Sequence, residues 1–150
     1  MKRIHKELKM FDTERPEHAL KIGVKDKDLH TVFFLISGPQ DTQYEGGEYI
    51  VEMKLPNDYP LNPPKLRMKT PSGRFVIDQD ICASFTSYHP ESWSPIHTFS
   101  TILRSFISFM TDNDDTPFIG RVDASDTERR RLAKESKSWN KLKGYNRLFC

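Results

Sequence analysis

The sequence predicts an α+β fold, with helices covering one face of a four-stranded antiparallel sheet, because strand-like segments are grouped before helical ones. Three observations carry this. The hydropathy period is three to four residues over positions 1–11, becomes two from Leu20, and returns to helical spacing at Phe99. The period-two stretches are punctuated by Ser37-Gly38-Pro39 and Gly46-Gly47, short turn signals that fit an antiparallel meander. The chain has 150 residues, 36% hydrophobic and 29% charged, enough to bury one core and too few for two domains and a linker. A single domain over residues 1–150 is therefore expected.

Each element has its own signal. Met1, Ile4, Leu8 and Phe11 form one face of a first helix whose other faces carry Lys2, Arg3, Lys6 and Lys9. Leu20, Ile22 and Val24 mark the first strand and the apolar run 32–36 the second. Tyr49, Val51, Met53 and Leu55, alternating with Glu48, Glu52 and Lys54, mark the third. Leu66 and Met68 alternate with basic residues in a short fourth strand over 65–69. Residues 70–94 hold turn formers, aromatics and Cys82 without periodicity, and a loop of that length inside a domain is usually functional. Phe99, Ile102, Leu103, Phe106, Ile107 and Met110 form a core helix whose apolar arc leaves only Arg104 and Ser108 to face outward. An acidic loop follows at 112–115. Ser125 and Glu128 read as a capping box that opens a basic C-terminal helix over about 126–143, packed through Leu132, Ser136, Trp139 and Leu142.

The net charge of +2 conceals a split, with +3 over residues 1–11, +6 over 128–150 and −7 between them. No apolar run approaches the roughly 18 to 20 residues that cross a bilayer. The charged N-terminus is unlike a secretory signal, so a cytosolic or nuclear location is expected. Cys82 and Cys150 make neither a disulfide framework nor a zinc site, since there is no CxxC and no paired Cys/His spacing. Gly-rich phosphate loops, HExxH and GxSxG are also absent, and no metal is expected. Cys82 lies in a loop rather than on a periodic apolar face, where it is either a nucleophilic thiol or a small buried hydrophobe.

The punctuation carries more. Tyr59-Pro60-Leu61-Asn62-Pro63-Pro64, between the third and fourth strands and preceded by Gly38-Pro39, Tyr44 and Gly46-Gly47, resembles the ubiquitin-conjugating (E2) family and its UBC fold. Lys2-Arg3-Ile4-His5-Lys6-Glu7-Leu8 is similar to that family's first helix, and Trp93-Ser94-Pro95 stands where the family has Trp-Ser-Pro before its central helix. The likeness covers about residues 1–142. Thr70-Pro71-Ser72-Gly73-Arg74-Phe75, Cys82-Ala83-Ser84-Phe85 and Tyr88-His89-Pro90-Glu91-Ser92-Trp93 look most like the tail-anchored endoplasmic-reticulum branch. That branch implies work at the cytosolic face of the endoplasmic reticulum, in ER-associated degradation. Its C-terminal anchor has no counterpart in these 150 residues, so a soluble relative or a part of an anchored protein is expected.

The resemblance also implies roles. Cys82 would accept the C-terminal carboxyl of ubiquitin, or a similar modifier, from the activating enzyme (E1) as a thioester. It would then lose it to an amine or hydroxyl of a substrate protein. ATP is used by E1, and no cofactor by this chain. The family's His-Pro-Asn reads Thr70-Pro71-Ser72, with Ser72 ten positions before Cys82, further than is common in the family. Ser72 either replaces the Asn as an oxyanion donor or only turns the chain after Pro71. Asp115, in Asp114-Asp115-Thr116-Pro117, matches the Asp that orients the incoming lysine and helps remove its proton; otherwise this is a solvated acidic loop. His89 is a base or a loop histidine, and Ser84 lines the site or turns the chain.

Lys2, Arg3, Lys6, Leu61, Pro95 and Ile96 would form the surface for E1 and RING-type ligases (E3), with Leu61 standing where Phe is common. Arg104 and Ser108 would meet the donor ubiquitin. Two other classes remain open. A catalytically impaired ubiquitin-pathway binding module would form no thioester on Cys82. A nucleic-acid binder needs interleaved aromatics or a basic groove, whereas the cations of the last helix sit on several of its faces, so nucleic acid is not an expected partner.

Overall fold

The computed structural model describes residues 2–25, 27–81, 90–112 and 117–149. Helix α1 (Lys2–Glu14) precedes strands β1 (Ala19–Lys25), β2 (Asp28–Ser37), β3 (Glu48–Lys54) and β4 (Lys65–Met68). Helices α2 (Phe99–Thr111) and α3 (Asp126–Leu142) follow, with 3-10 turns at Pro90–Ser92 and Tyr145–Phe149. The strands form an antiparallel meander in the order β1-β2-β3-β4. The α+β architecture read from the change of period is the one observed.

Alternation sets the inner face of the sheet. Val32, Phe34 and Ile36 of β2, Tyr49, Val51 and Met53 of β3, and Leu66 and Met68 of β4 are buried together with Phe99, Ile102, Leu103, Phe106 and Met110 of α2. Phe34 meets Phe99 edge-on at 5.9 Å. The run 32–36 lacks alternation because the outer face is covered as well. Gly23 pairs with Phe33, and a Cβ added to Gly23 would stand 2.0 Å from the carbonyl oxygen of Leu148. Phe149 shares a cavity wall with Leu35 and Ile50. The Tyr145–Phe149 turn that supplies this cover has no signal in the sequence.

Four expectations are corrected. On α1, Ile4 and Phe11 are buried, but Glu7 lies deeper than Leu8. The reason is polar: Glu7 Oε1 accepts the Phe99 N–H at 3.0 Å and Oε2 accepts from Arg3 Nε at 2.9 Å. A carboxylate at the first amide of α2 satisfies a donor that the helix leaves open, and the helix dipole favours it there. On α2, Ser105 is exposed along with Arg104 and Ser108.

On α3, the packed face is Ala133, Ser136 and Asn140, whereas Leu132 and Trp139 are half-buried and Leu142 is 87% exposed. Here the helix is fastened to β3 by hydrogen bonds: Glu48 N–H donates to Ser136 Oγ at 2.8 Å, and Asn140 Nδ2 donates to Glu48 O at 2.9 Å. Ser125 caps the helix, accepting the Glu128 N–H at 3.0 Å. The Glu128 carboxylate accepts from Arg131 Nε at 2.9 Å, so this pairing, rather than the expected return to the cap, occupies it.

Candidate functional site

The chain leaving β4 is held from several sides. Thr70 is fully buried; its hydroxyl accepts the Ile50 N–H at 3.0 Å and donates to Asn140 Oδ1 at 2.6 Å, tying this segment to α3. Ser72 is equally buried, and its Oγ accepts the N–H groups of Arg74 at 3.1 Å and Phe75 at 3.4 Å. This is the geometry of a hydroxyl bracing a turn. Gly73 follows at φ +80°, where a Cβ would lie 2.7 Å from Arg129 Cγ, and Arg129 Nε donates to Gly73 O at 3.0 Å. Arg67 Nε donates to Asp80 Oδ1 at 2.6 Å, and Ile81 N–H donates to Leu66 O at 2.9 Å. The residue immediately before Cys82 is therefore buried and bonded to β4. Cys82, Ser84 and His89 themselves lie outside the described residues.

The acidic segment is flanked in the same way. Asp114 and Asp115 lie outside the described residues, but the chain after them runs beside the chain that leads to Cys82. Val76 N–H donates to Gly120 O at 2.8 Å, Val122 N–H donates to Arg74 O at 2.9 Å, and Phe75 pairs with Arg121. Gly120 has φ +95°, and a Cβ there would stand 3.0 Å from Asp80 O. The flanks of the two segments that hold Cys82 and Asp115 are thus neighbours. Burial pushes the Arg74 guanidinium below its usual range, with Arg129 and Arg121 acting in the same direction.

A second face joins α1 to two loops. Arg3 Nη2 donates to His97 O at 2.9 Å, and Trp93 Nε1 donates to Pro60 O at 2.8 Å. Trp93 lies 5.3 Å from His97 and 6.1 Å from Tyr59, centroid to centroid. Burial raises the Tyr59 phenol above its ordinary range. This frame brings together the loops that carry Leu61, 69% exposed, and Pro95 and Ile96, the latter 82% exposed. Lys2 and Lys6 point outward, but Arg3 is half-buried and engaged with Glu7 and His97. Of the expected basic stripe, Arg3 is therefore also a structural tie.

Sequence reasoning missed Glu7, Arg74 and Asn140 as organising residues. The available signal for Glu7 was its place at helical spacing between Ile4 and Phe11. Among the described residues, no cluster of three or more His, Cys, Asp or Glu could hold a metal ion.

The family model described as "Ubiquitin-conjugating enzyme" matches residues 3–141. The chain is 38% identical over 149 residues to Ubiquitin-conjugating enzyme E2 6 of Eremothecium gossypii, covering 99% of this chain and 60% of that protein. It is 41% identical over 139 residues to the protein of the same name from Kluyveromyces lactis, covering 93% and 54%. It is 37% identical over 150 residues to Probable ubiquitin-conjugating enzyme E2 33 of Arabidopsis thaliana, covering 99% and 60%. The chain thus spans between half and two thirds of the length of these curated relatives. With the match running from the first turn of α1 to the last turn of α3, the chain belongs to the ubiquitin-conjugating enzyme family.

Proposed function

We propose that this chain accepts ubiquitin from E1 as a thioester on Cys82 and passes it to a substrate amine or hydroxyl, in concert with a RING-type ligase. In the first step the thiolate attacks the thioester carbonyl on E1, a new carbon–sulfur bond forms, and E1's thiolate leaves. In the second an acceptor nitrogen or oxygen attacks the same carbonyl, the bond to Cys82 breaks, and the acceptor's proton passes to a base, for which Asp115 is the candidate. The observation that carries this reading is the pairing of residues 74–76 with 120–122, which sets the flanks of the Cys82 and Asp115 segments side by side in a chain of this family.

Leu61, Pro95 and Ile96, with Lys2, Arg3 and Lys6 beside them, are the proposed surface for E1 and the ligase: exposed apolar anchors with charges that steer encounter. Arg104 and Ser108, exposed on α2, are the proposed contacts for the donor ubiquitin. A place at the cytosolic side of the endoplasmic reticulum rests on the likeness of residues 70–93 to that branch; no helix of the described residues is long and apolar enough to cross a membrane.

The test is incubation with E1, ATP and ubiquitin, followed by mass analysis without reductant. A reducible adduct of one ubiquitin is expected, retained in Cys150→Ser and lost in Cys82→Ala. One observation favours a second reading, the catalytically impaired binding module: the Ser72 hydroxyl is fully buried, so its proton is not presented at the surface. That reading predicts no adduct.

A further inference from the structure

Arg74 is a cation held almost out of reach of water, 3% exposed. Its Nη2 donates to Phe109 O at 3.0 Å, one of the terminal carbonyls that α2 cannot satisfy internally. Its guanidinium carbon lies 5.9 Å from the ring centre of Phe75, 5.3 Å from Phe109 and 5.0 Å from Phe118. The last two rings are 4.8 Å apart. Nε has no hydrogen-bond partner among the described residues. Burying a guanidinium this way is costly, and an apolar side chain of similar length would fill the space without that cost. The retained charge therefore points to a use.

What the side chain joins suggests the use. Its own backbone lies on the segment leading to Cys82. Phe109 is in the last turn of α2, just before residues 113–116, and Phe118 comes just after them. One side chain thus clamps both flanks of the acidic segment to the flank of the cysteine segment.

We propose that Arg74 is a positioning residue for the transfer step, fixing where an acceptor amine meets the Cys82 thioester by holding both flanks of residues 113–116. This rests on the function proposed above. In that step the amine nitrogen attacks the thioester carbonyl, the carbon–nitrogen bond forms, the carbon–sulfur bond breaks, Cys82 leaves as thiolate, and the amine's proton goes to a carboxylate or to water. Taking ubiquitin from E1 needs no positioned amine. Arg74 therefore acts on discharge and not on charging, a division that a purely structural arginine would not produce.

The experiment charges the full chain with E1, ATP and ubiquitin, then follows single-turnover discharge to free lysine over a range of lysine concentrations. Arg74→Met is expected to charge within about twofold of the unaltered chain but to discharge about tenfold more slowly at saturating lysine, as misplaced reactants do. Arg74→Lys recovers part of the rate, because an ammonium keeps the ring contact and loses the planar fork. Phe118→Leu keeps apolar bulk and the arginine, so it serves even if Arg74→Met fails to fold; it is expected to show the same division at about threefold. Discharge within twofold in the folded variants overturns the proposal, as does a fall of charging and discharge together in step with Tm. An unaltered chain that forms no thioester overturns the underlying reading, an outcome distinct from either of these.

Discussion

Helices α2 and α3 both pack on the sheet but are held by opposite means. α2 buries Phe99, Ile102, Leu103, Phe106, Ile107 and Met110, a stripe whose attraction is non-directional and scales with the area removed from water. α3 buries Ala133, Ser136 and Asn140, and its hold on β3 runs through side-chain hydrogen bonds to Glu48, with a further one to Thr70. The first contact supplies stability. The second supplies orientation, since each bond has one geometry in which it forms. The helix held directionally is the one tied to the chain that leads to the candidate site.

That contrast can be tested in descending order of effect. Phe106→Ala should cost about 3 to 5 kcal/mol, read from urea unfolding, because it empties a fully buried aromatic site. A loss near 1 kcal/mol would mean that α2 is not the core helix described. Asn140→Leu should cost about 2 kcal/mol despite similar bulk, since it leaves the Glu48 carbonyl and Thr70 hydroxyl without their partner; a stabilised variant would make the α3 contact hydrophobic after all. Leu142→Ala should change the unfolding free energy by less than about 0.5 kcal/mol, as its side chain is in water. The smallest effect concerns pH. The hydrogen bond from Arg131 holds the Glu128 carboxyl below its ordinary range. A carboxyl lowered by folding contributes fully above its unfolded pKa and loses that contribution as pH falls through the folded value. Urea midpoints of the unaltered chain and Glu128→Gln should therefore differ at neutral pH and converge in acid. A gap that persists in acid would show that something other than charge separates them.

How much of this was legible follows from the same distinction. Apolar periodicity reports non-directional packing, so α2, the alternating strands and the meander could be read from residue spacing. It is silent on polar fastening, so the stripe assigned to α3 was displaced and Glu7 was not counted in the packed face of α1. Leu142 sat at the right spacing for packing, but the small Ala133 and Ser136 are what allow close approach to β3. At the candidate site, the exposed positions of Leu61 and Ile96 could be anticipated because turn and loop residues dominate their surroundings. The burial of Ser72 and Arg74 could not, because it depends on strand-like pairing between segments more than forty positions apart in the chain.

The Tyr145–Phe149 turn bears on where the folding unit ends. The family match stops at residue 141, yet the Leu148 carbonyl sits over Gly23, and Phe149 helps wall in Leu35 and Ile50, the latter 1% exposed. Shortening the chain to the matched stretch would uncover Gly23 of β1, Leu35 of β2 and Ile50 of β3 in a furrow otherwise lined by polar side chains, Lys21, Glu48 and Asn140 among them. Apolar side chains uncovered on a sheet face favour self-association. Solubility of a shortened chain would then depend on five residues that lie beyond the family-model match.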